Sequence, residues 1–325
     1  MRDVVLKVEH LKKYYPLRHA GKGEHAVVKA CDDVSFELRS GEVLGIVGES
    51  GCGKTTTMQS VIRLVEPTSG KITLCGQDFR SLKGKELKEA RTRMKLIFQD
   101  PYSSLNPRMT VREIIAEPLD IAHVCSSRKE REELVVQTMR QVGLDPSFAN
   151  RYPHEFSGGQ RQRIGIARAI ILHPAVVICD EPVSALDVSI QAKIINLLKR
   201  LQKELGTAYI FISHDLGVVR HIADTVLVMY LGRVVEQGSC EEVFRHPLHP
   251  YTKALLASIP RIDSERGVPE AVLAGDVPSP ANPPSGCLFH TRCPYCRSRC
   301  ETENPLLRGN PDHQCACHFV EALEQ

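Results

Sequence analysis

The chain has no tryptophan, and aromatic residues fill only 5% of its 325 positions. Any sizeable core must therefore be aliphatic, and a hydrophobic content of 42% supplies the Val, Ile and Leu for it. Neither sign of charge is in excess: 42 basic residues face 39 acidic ones, for a net of +3. That balance gives no global case for nucleic-acid binding. No run of 18 apolar residues occurs, so no segment is expected to span a bilayer. The opening MRDVVLKVEHL carries charges inside its apolar run and no small-residue cleavage site. It does not read as a signal peptide, and the chain is expected in the cytoplasm, meeting a membrane only through partners.

The first 240 residues alternate strand-like and helix-like patterns. Val34 to Leu38 alternates with period two, and Val43–Val47, Val176–Cys179 and Tyr209–Ile212 are short apolar runs of the kind buried strands show. Between the last two, Ile190, Ile194, Leu197, Leu198, Leu201 and Leu205 repeat at helical spacing, and Gly206 ends the pattern. Ser126 and Ser127 are N-cap candidates for a charged helix ending near Gly143. Strand, helix and strand in repetition predict parallel pairing with right-handed crossovers. Near residue 240 the texture shifts to the His- and Pro-rich HPLHPYTKALLASIP, and from about 259 it becomes loop-like. The expected division is 1–240, 241–258 as a linker and helix, and 259–325 as a cysteine-rich domain.

Gly48-Glu49-Ser50-Gly51-Cys52-Gly53-Lys54-Thr55 fits G-x-x-x-x-G-K-[ST], after an apolar strand and before a helix. Glycines let the backbone curl its N–H groups toward phosphate oxygens, and the helix N-terminus adds partial positive charge. Lys54 is expected on the β- and γ-phosphates of ATP, Thr55 on Mg²⁺, with Thr56 beside them. Cys52, at a helix N-terminus, is expected to have a lowered thiol pKa, so that alkylation blocks activity. Val176 to Cys179 leads into Asp180 and Glu181. Asp180 would hold Mg²⁺ through its water shell, and Glu181 would polarise an attacking water as general base. A second Gly-rich, helix-opening cradle, Ser157-Gly158-Gly159-Gln160, lies about a hundred residues on. It makes sense if it serves a nucleotide held by another subunit.

Taken together these motifs resemble the nucleotide-binding subunit of ABC transporters over roughly the first 240 residues. The resemblance implies a P-loop α/β fold of ABC type: a parallel-sheet core, an antiparallel β subdomain and a helical signature subdomain at about 100–172. It places Gln99 as the loop glutamine sensing Mg²⁺ and water. Ser157, Gly158, Gly159 and Gln160 match the signature, with Phe156 where Leu is more usual. Asp187, in Ser184-Ala185-Leu186-Asp187, matches the loop that touches the opposite subunit, and His214 the γ-phosphate histidine. Tyr15 sits where an aromatic stacks on adenine, with Tyr14 adjacent. Two such subunits are implied to pack head to tail, each signature closing the other's ATP site.

Beyond the cassette, IFQDPYSSLNPRMTV, HPLHPYTKALLASIP and PSPANPPSGCLFHTRCP resemble the oligopeptide and dipeptide importer branch. Importers for nickel, glutathione or other small solutes share much of this tail. The branch implies a second, different ATPase subunit, two membrane permease subunits and an extracytoplasmic solute-binding protein, with this chain peripheral at the cytoplasmic membrane face. Tyr102, Leu105 and Met109 are expected to offer apolar contact to a membrane-subunit helix. Six of the twelve cysteines crowd into the tail, and without a secretory signal such a cluster reads as metal binding. Cys287, Cys293, Cys300 and Cys317 match the branch's ligand set for a 4Fe-4S cluster. Zinc suits four thiolates equally, and Cys296 and Cys315 are further candidates. A soluble ABC-type ATPase acting on nucleic acid is the alternative of a different class.

Overall fold

The structure, a computed structural model, describes residues 2–17, 27–100, 102–258, 275–310 and 312–323. The chain forms two compact units. One comprises Met1–Lys7, Glu37–Val43 and Thr73–Ile212, the other Val8–Phe36, Leu44–Ile72 and Ser213–Gln325.

The first unit is built on three parallel strands, Met94–Ile97, Val176–Asp180 and Ala208–Ile212, in register with Met94 opposite Val176 and Val176 opposite Ala208. Val176 to Cys179 and all of Ala208–Ile212 are buried. Covering on both faces is why these strands read as continuous apolar runs rather than alternating ones. The helix Val188–Leu205 turns Ile194, Leu197, Leu198 and Leu201 inward and stops at Gly206, whose φ of 65° only glycine adopts cheaply. The helix Arg128–Gln141 begins at Ser127, whose side chain accepts from the Glu130 N–H. The helix Val111–Ala122 opens with a capping box between Thr110 and Glu113. These two and the helix Gly158–Ile170 fill the stretch expected to be helical.

In the second unit the strand Val43–Val47 pairs in parallel with Thr225–Tyr230, Leu44 opposite Thr225. Thr225–Tyr230 then pairs antiparallel with Arg233–Ser239. That strand in turn pairs antiparallel with His313–Cys315, so Glu236 faces Cys315, and Arg308–Asn310 follows at the edge. The cysteine-bearing tail thus adds strands to the sheet that carries the phosphate loop. Three aromatics cluster beside it. Tyr230, Tyr251 and Phe289 are buried, with ring centroids 4.7 to 5.4 Å apart. Offset and edge-on packing of this kind contributes about 0.5–1.5 kcal/mol per pair beyond area burial.

Candidate active site

In the second unit the buried strand Val43–Val47 delivers the chain to Gly48, and the helix Lys54–Val61 begins after Gly53. Gly53 adopts φ +102°, and a β-carbon there would stand 2.1 Å from the Ala30 carbonyl oxygen. Only a residue without a side chain fits that crossing, which lets the helix start directly behind the loop. Lys54 is buried, and its ammonium donates to the carbonyls of Gly48 at 2.7 Å and Glu49 at 3.0 Å. The cation is thereby folded over the loop. Thr55 is exposed on the first turn. These features suit the loop to a phosphate chain, whose charge Lys54 and the helix terminus can meet. Mg²⁺ would add neutralising charge on the phosphate oxygens, and the Thr55 hydroxyl is an oxygen donor of the kind it prefers.

Cys52 departs from expectation. Its thiol is 2% exposed, and burial pushes its pKa up despite Lys54 Nζ at 3.7 Å. Desolvation outweighs the helix terminus and the lysine. Of the two adjacent tyrosines, Tyr14 is committed elsewhere: its hydroxyl donates to Asp32, which Arg233 also holds at 2.7 Å. Tyr15 is 36% exposed, with the Lys13 ammonium 4.8 Å from its ring centroid. His214 is exposed at a fixed point of backbone. Ser213 before it is buried and accepts from the Asp215 N–H, and Asp215 caps the helix Leu216–Ile222 through Gly217 N–H at 2.8 Å.

In the first unit the strand Val176–Asp180 ends in Asp180, and Glu181 follows with φ 44°. A left-handed backbone is uncommon outside glycine and costs about 1–2 kcal/mol. It is held here by the Glu181 N–H donating to the Ile212 carbonyl at 3.1 Å and by the Ser184 hydroxyl donating to the Glu181 carbonyl at 3.1 Å. The carboxylate is held as well: Gln99 Nε2 donates to Glu181 Oε2 at 2.9 Å. Two residues 82 positions apart thus meet at one carboxylate. Asp187 caps the helix Val188–Leu205. Its carboxylate accepts from the Ser189 hydroxyl at 2.8 Å and the Ile190 N–H at 3.0 Å, contacts that hold it below the usual carboxylate range. Gln191 Nε2 ties that turn together by donating to the carbonyls of Val183 and Leu186, both at 3.0 Å. Nothing in the motif had marked Gln191.

Ser157 is the N-cap of the 13-residue helix Gly158–Ile170, in a capping box with Gln160. The Ser157 N–H donates to Gln160 Oε1 at 3.0 Å, and Gln160 N–H donates back to the hydroxyl. The sequence Ser-Gly-Gly-Gln therefore builds a rigid helix start whose dipole favours an anion. Phe156 just before it is buried, edge-on to Phe148 at 5.9 Å. Of the three apolar residues expected at a docking surface, Tyr102 is 59% exposed but Leu105 only 2%. Leu105 faces the core and offers nothing to a partner.

Comparison with known proteins bears on the whole chain. Residues 31–184 match the ABC transporter family, and residues 235–300 match the oligopeptide/dipeptide transporter C-terminal region. The oligopeptide transport ATP-binding protein AppF of Bacillus subtilis is 53% identical over 98% of each chain. The chain belongs to the ABC transporter family. It is an ABC ATPase, with the fold expected for one. The oligopeptide transport ATP-binding protein OppF of Salmonella typhimurium is 51% identical, over 99% of this chain and 98% of that one. The di/tripeptide transport ATP-binding protein DppF of Pseudomonas aeruginosa is 48% identical over 98% of each. Among solved structures, the dimeric post-hydrolysis ATP-binding cassette MJ0796 bound to ADP and Pi is 29% identical, with a TM-score of 0.64, over 72% of this chain and 98% of that one. No helix among the described residues of this ABC ATPase is long and apolar enough to cross a membrane.

The ATPase's tail places its six cysteines unequally. Cys287, Cys293, Cys300 and Cys317 line one small cavity, walled also by Phe289, Tyr295 and Phe319. Cys315 is buried on its strand and Cys296 sits near the surface with its sulfur 3.8 Å from the Arg297 carbonyl. Burial pushes the thiols of Cys287 and Cys293 up to about 11, and neighbouring thiols add to it. Among the described residues, no group of three or more His, Cys, Asp or Glu side chains is arranged to hold a metal ion. The donor types and their shared cavity suit a thiolate-bound group; the ligating arrangement itself is not formed.

Proposed function

We propose that this ABC ATPase is the energy-coupling subunit of an importer for oligopeptides or dipeptides. The observation that carries the reading is near-end-to-end similarity to peptide-transport ATP-binding proteins, tail included. In this reading Gly48 to Thr56 hold the ATP phosphates, Tyr15 stacks on the base, and Thr55, Asp180 and Gln99 serve Mg²⁺. Glu181 takes the proton of the attacking water, and His214 contacts the γ-phosphate. Ser157 to Gln160 and Asp187 serve the nucleotide of a second ATPase subunit, which differs from this one. Hydrolysis drives two membrane permease subunits, supplied by an external solute-binding protein, from the cytoplasmic face. The held position of Glu181 against Gln99 supports the assignment of the base.

The finer reading of the tail is that Cys287, Cys293, Cys300 and Cys317 hold a 4Fe-4S cluster that fixes a loop-rich segment. Their shared cavity favours this set over ones using Cys296 or Cys315. Iron and sulfide in stoichiometric amount after anaerobic purification are expected; stoichiometric zinc would replace the cluster with a structural zinc.

The transport reading is tested by deleting the gene and following uptake of a labelled di- or oligopeptide. Uptake should fall and return with the native chain but not with Lys54→Ala. Unchanged peptide uptake with loss of another solute would move the substrate to the nickel or glutathione class.

A further inference from the structure

One residue of the phosphate loop is gripped from outside the loop at both its backbone and its side chain. The Glu49 N–H donates to the Tyr251 hydroxyl oxygen at 2.8 Å. The Glu49 carboxylate receives both arms of the Arg292 guanidinium, at 2.8 and 3.1 Å. Tyr251 is 202 residues away and Arg292 is 243. The Arg292 side chain is only 4% exposed and Glu49 22%. A bidentate guanidinium–carboxylate pair fixes the orientation of both planes. Withdrawn from water, it cannot be swapped for hydration at small cost, because removing one partner strands the other charge. The Glu49 carbonyl, meanwhile, accepts from Lys54.

The grip is itself anchored. Arg292 ends the short turn His290–Arg292, directly after Phe289. Phe289 packs against both Tyr230 and Tyr251, 5.4 Å from each. Tyr251 stands in the first turn of the helix Pro250–Ala257, whose start is fixed by the buried His249 accepting from the Tyr251 N–H. The turn bearing Arg292 is bracketed by Cys287 and Cys293, with the Cys287 N–H bonded to the Cys300 carbonyl at 2.8 Å. The loop's outer anchor thus lies on a turn flanked by two of the cavity thiols.

We propose that Arg292 is a positioning residue for nucleotide binding: through Glu49 it sets the shape of the phosphate loop, making the tail a determinant of ATP affinity. The proposal rests on the reading of Gly48 to Thr55 as the ATP site. A residue that holds a binding element without touching ligand acts by preorganisation, which lowers the cost of ordering on binding.

The test is ATP affinity of the full-length chain, measured by calorimetry, for Arg292→Ala, Arg292→Lys, Glu49→Ala and the Arg292→Ala/Glu49→Ala pair. Arg292→Ala should weaken ATP roughly ten- to hundredfold, and Arg292→Lys should recover part of the loss. The double variant should bind no worse than the weaker single, because both act through one contact. Amide hydrogen exchange should quicken at 49–53 in Arg292→Ala and stay slow in the strand Thr225–Tyr230, a pattern that general loss of stability does not give. Native ATP affinity in Arg292→Ala, or losses that multiply in the double variant, overturn the proposal. If Arg292→Ala does not fold, Glu49→Gln and Tyr251→Phe carry the same comparison, each expected to weaken ATP. Lys54→Ala separates the two readings: retained ATP binding there refutes the loop as the ATP site, whatever Arg292 does.

Discussion

Two glycines of the phosphate loop allow backbone strain to be separated from crowding. Gly51 has φ +79° with nothing within 4 Å of a built β-carbon, whereas Gly53 has φ +102° with the Ala30 carbonyl oxygen 2.1 Å away. Gly51→Ala therefore incurs only the left-handed penalty, about 1–2 kcal/mol. Gly53→Ala incurs that penalty and must also push the helix Lys54–Val61 off the strand carrying Ala30 by nearly 1 Å. Overpacking of this kind adds about 1–3 kcal/mol. If the empty variant loop relaxes and must return to this shape to bind, these totals cap the ATP affinity losses, at about 1.4 kcal/mol per tenfold, at roughly 30-fold for Gly51→Ala and several-thousandfold for Gly53→Ala. Affinity is read by titration with a fluorescent ATP analogue, and circular dichroism checks that both variants fold. Equal losses at the two positions would refute the claim that the loop is built against the neighbouring strand.

Cys52 should react slowly with iodoacetamide at neutral pH in the folded chain and at the ordinary rate after unfolding in urea, because burial raises its thiol pKa; fast labelling of the folded chain would contradict the burial. His249 is buried, and loss of hydration lowers its pKa from 6.5 to about 4. The unfolded chain binds a proton across that window and the folded one does not, so stability should fall as pH drops from about 6.5 toward 4, by about 3 kcal/mol. Urea midpoints across that range should lose this slope in His249→Asn.

The fold was largely legible because its signals are local. The apolar runs at Val43–Val47, Val176–Asp180 and Ala208–Ile212, the cap at Ser127 and the stop at Gly206 each depend on a few neighbouring residues. The motif residues Lys54, Asp180, Glu181 and Ser157 were legible for the same reason. What stayed hidden is long-range. No spacing rule links Glu49 to Tyr251 and Arg292, or Gln99 to Glu181. Burial was the other blind spot. A helix terminus argues for a low thiol pKa at Cys52 until desolvation is counted, and Leu105 reads as surface until its 2% exposure is known. Resemblance alone favours Tyr15 over Tyr14, and the engagement of Tyr14 by Asp32 is a contact no spacing shows.

In the proposed function Glu181, held by Gln99, is the base of an ATPase that works as part of a pair. The most direct measurement is steady-state ATP turnover of the assembled transporter carrying Glu181→Gln in this subunit, beside ATP affinity in the same preparation. Loss of a general base costs about 10²–10⁴-fold in rate while binding contacts remain. This subunit's turnover should fall by that much with ATP still bound. Unchanged turnover would contradict it.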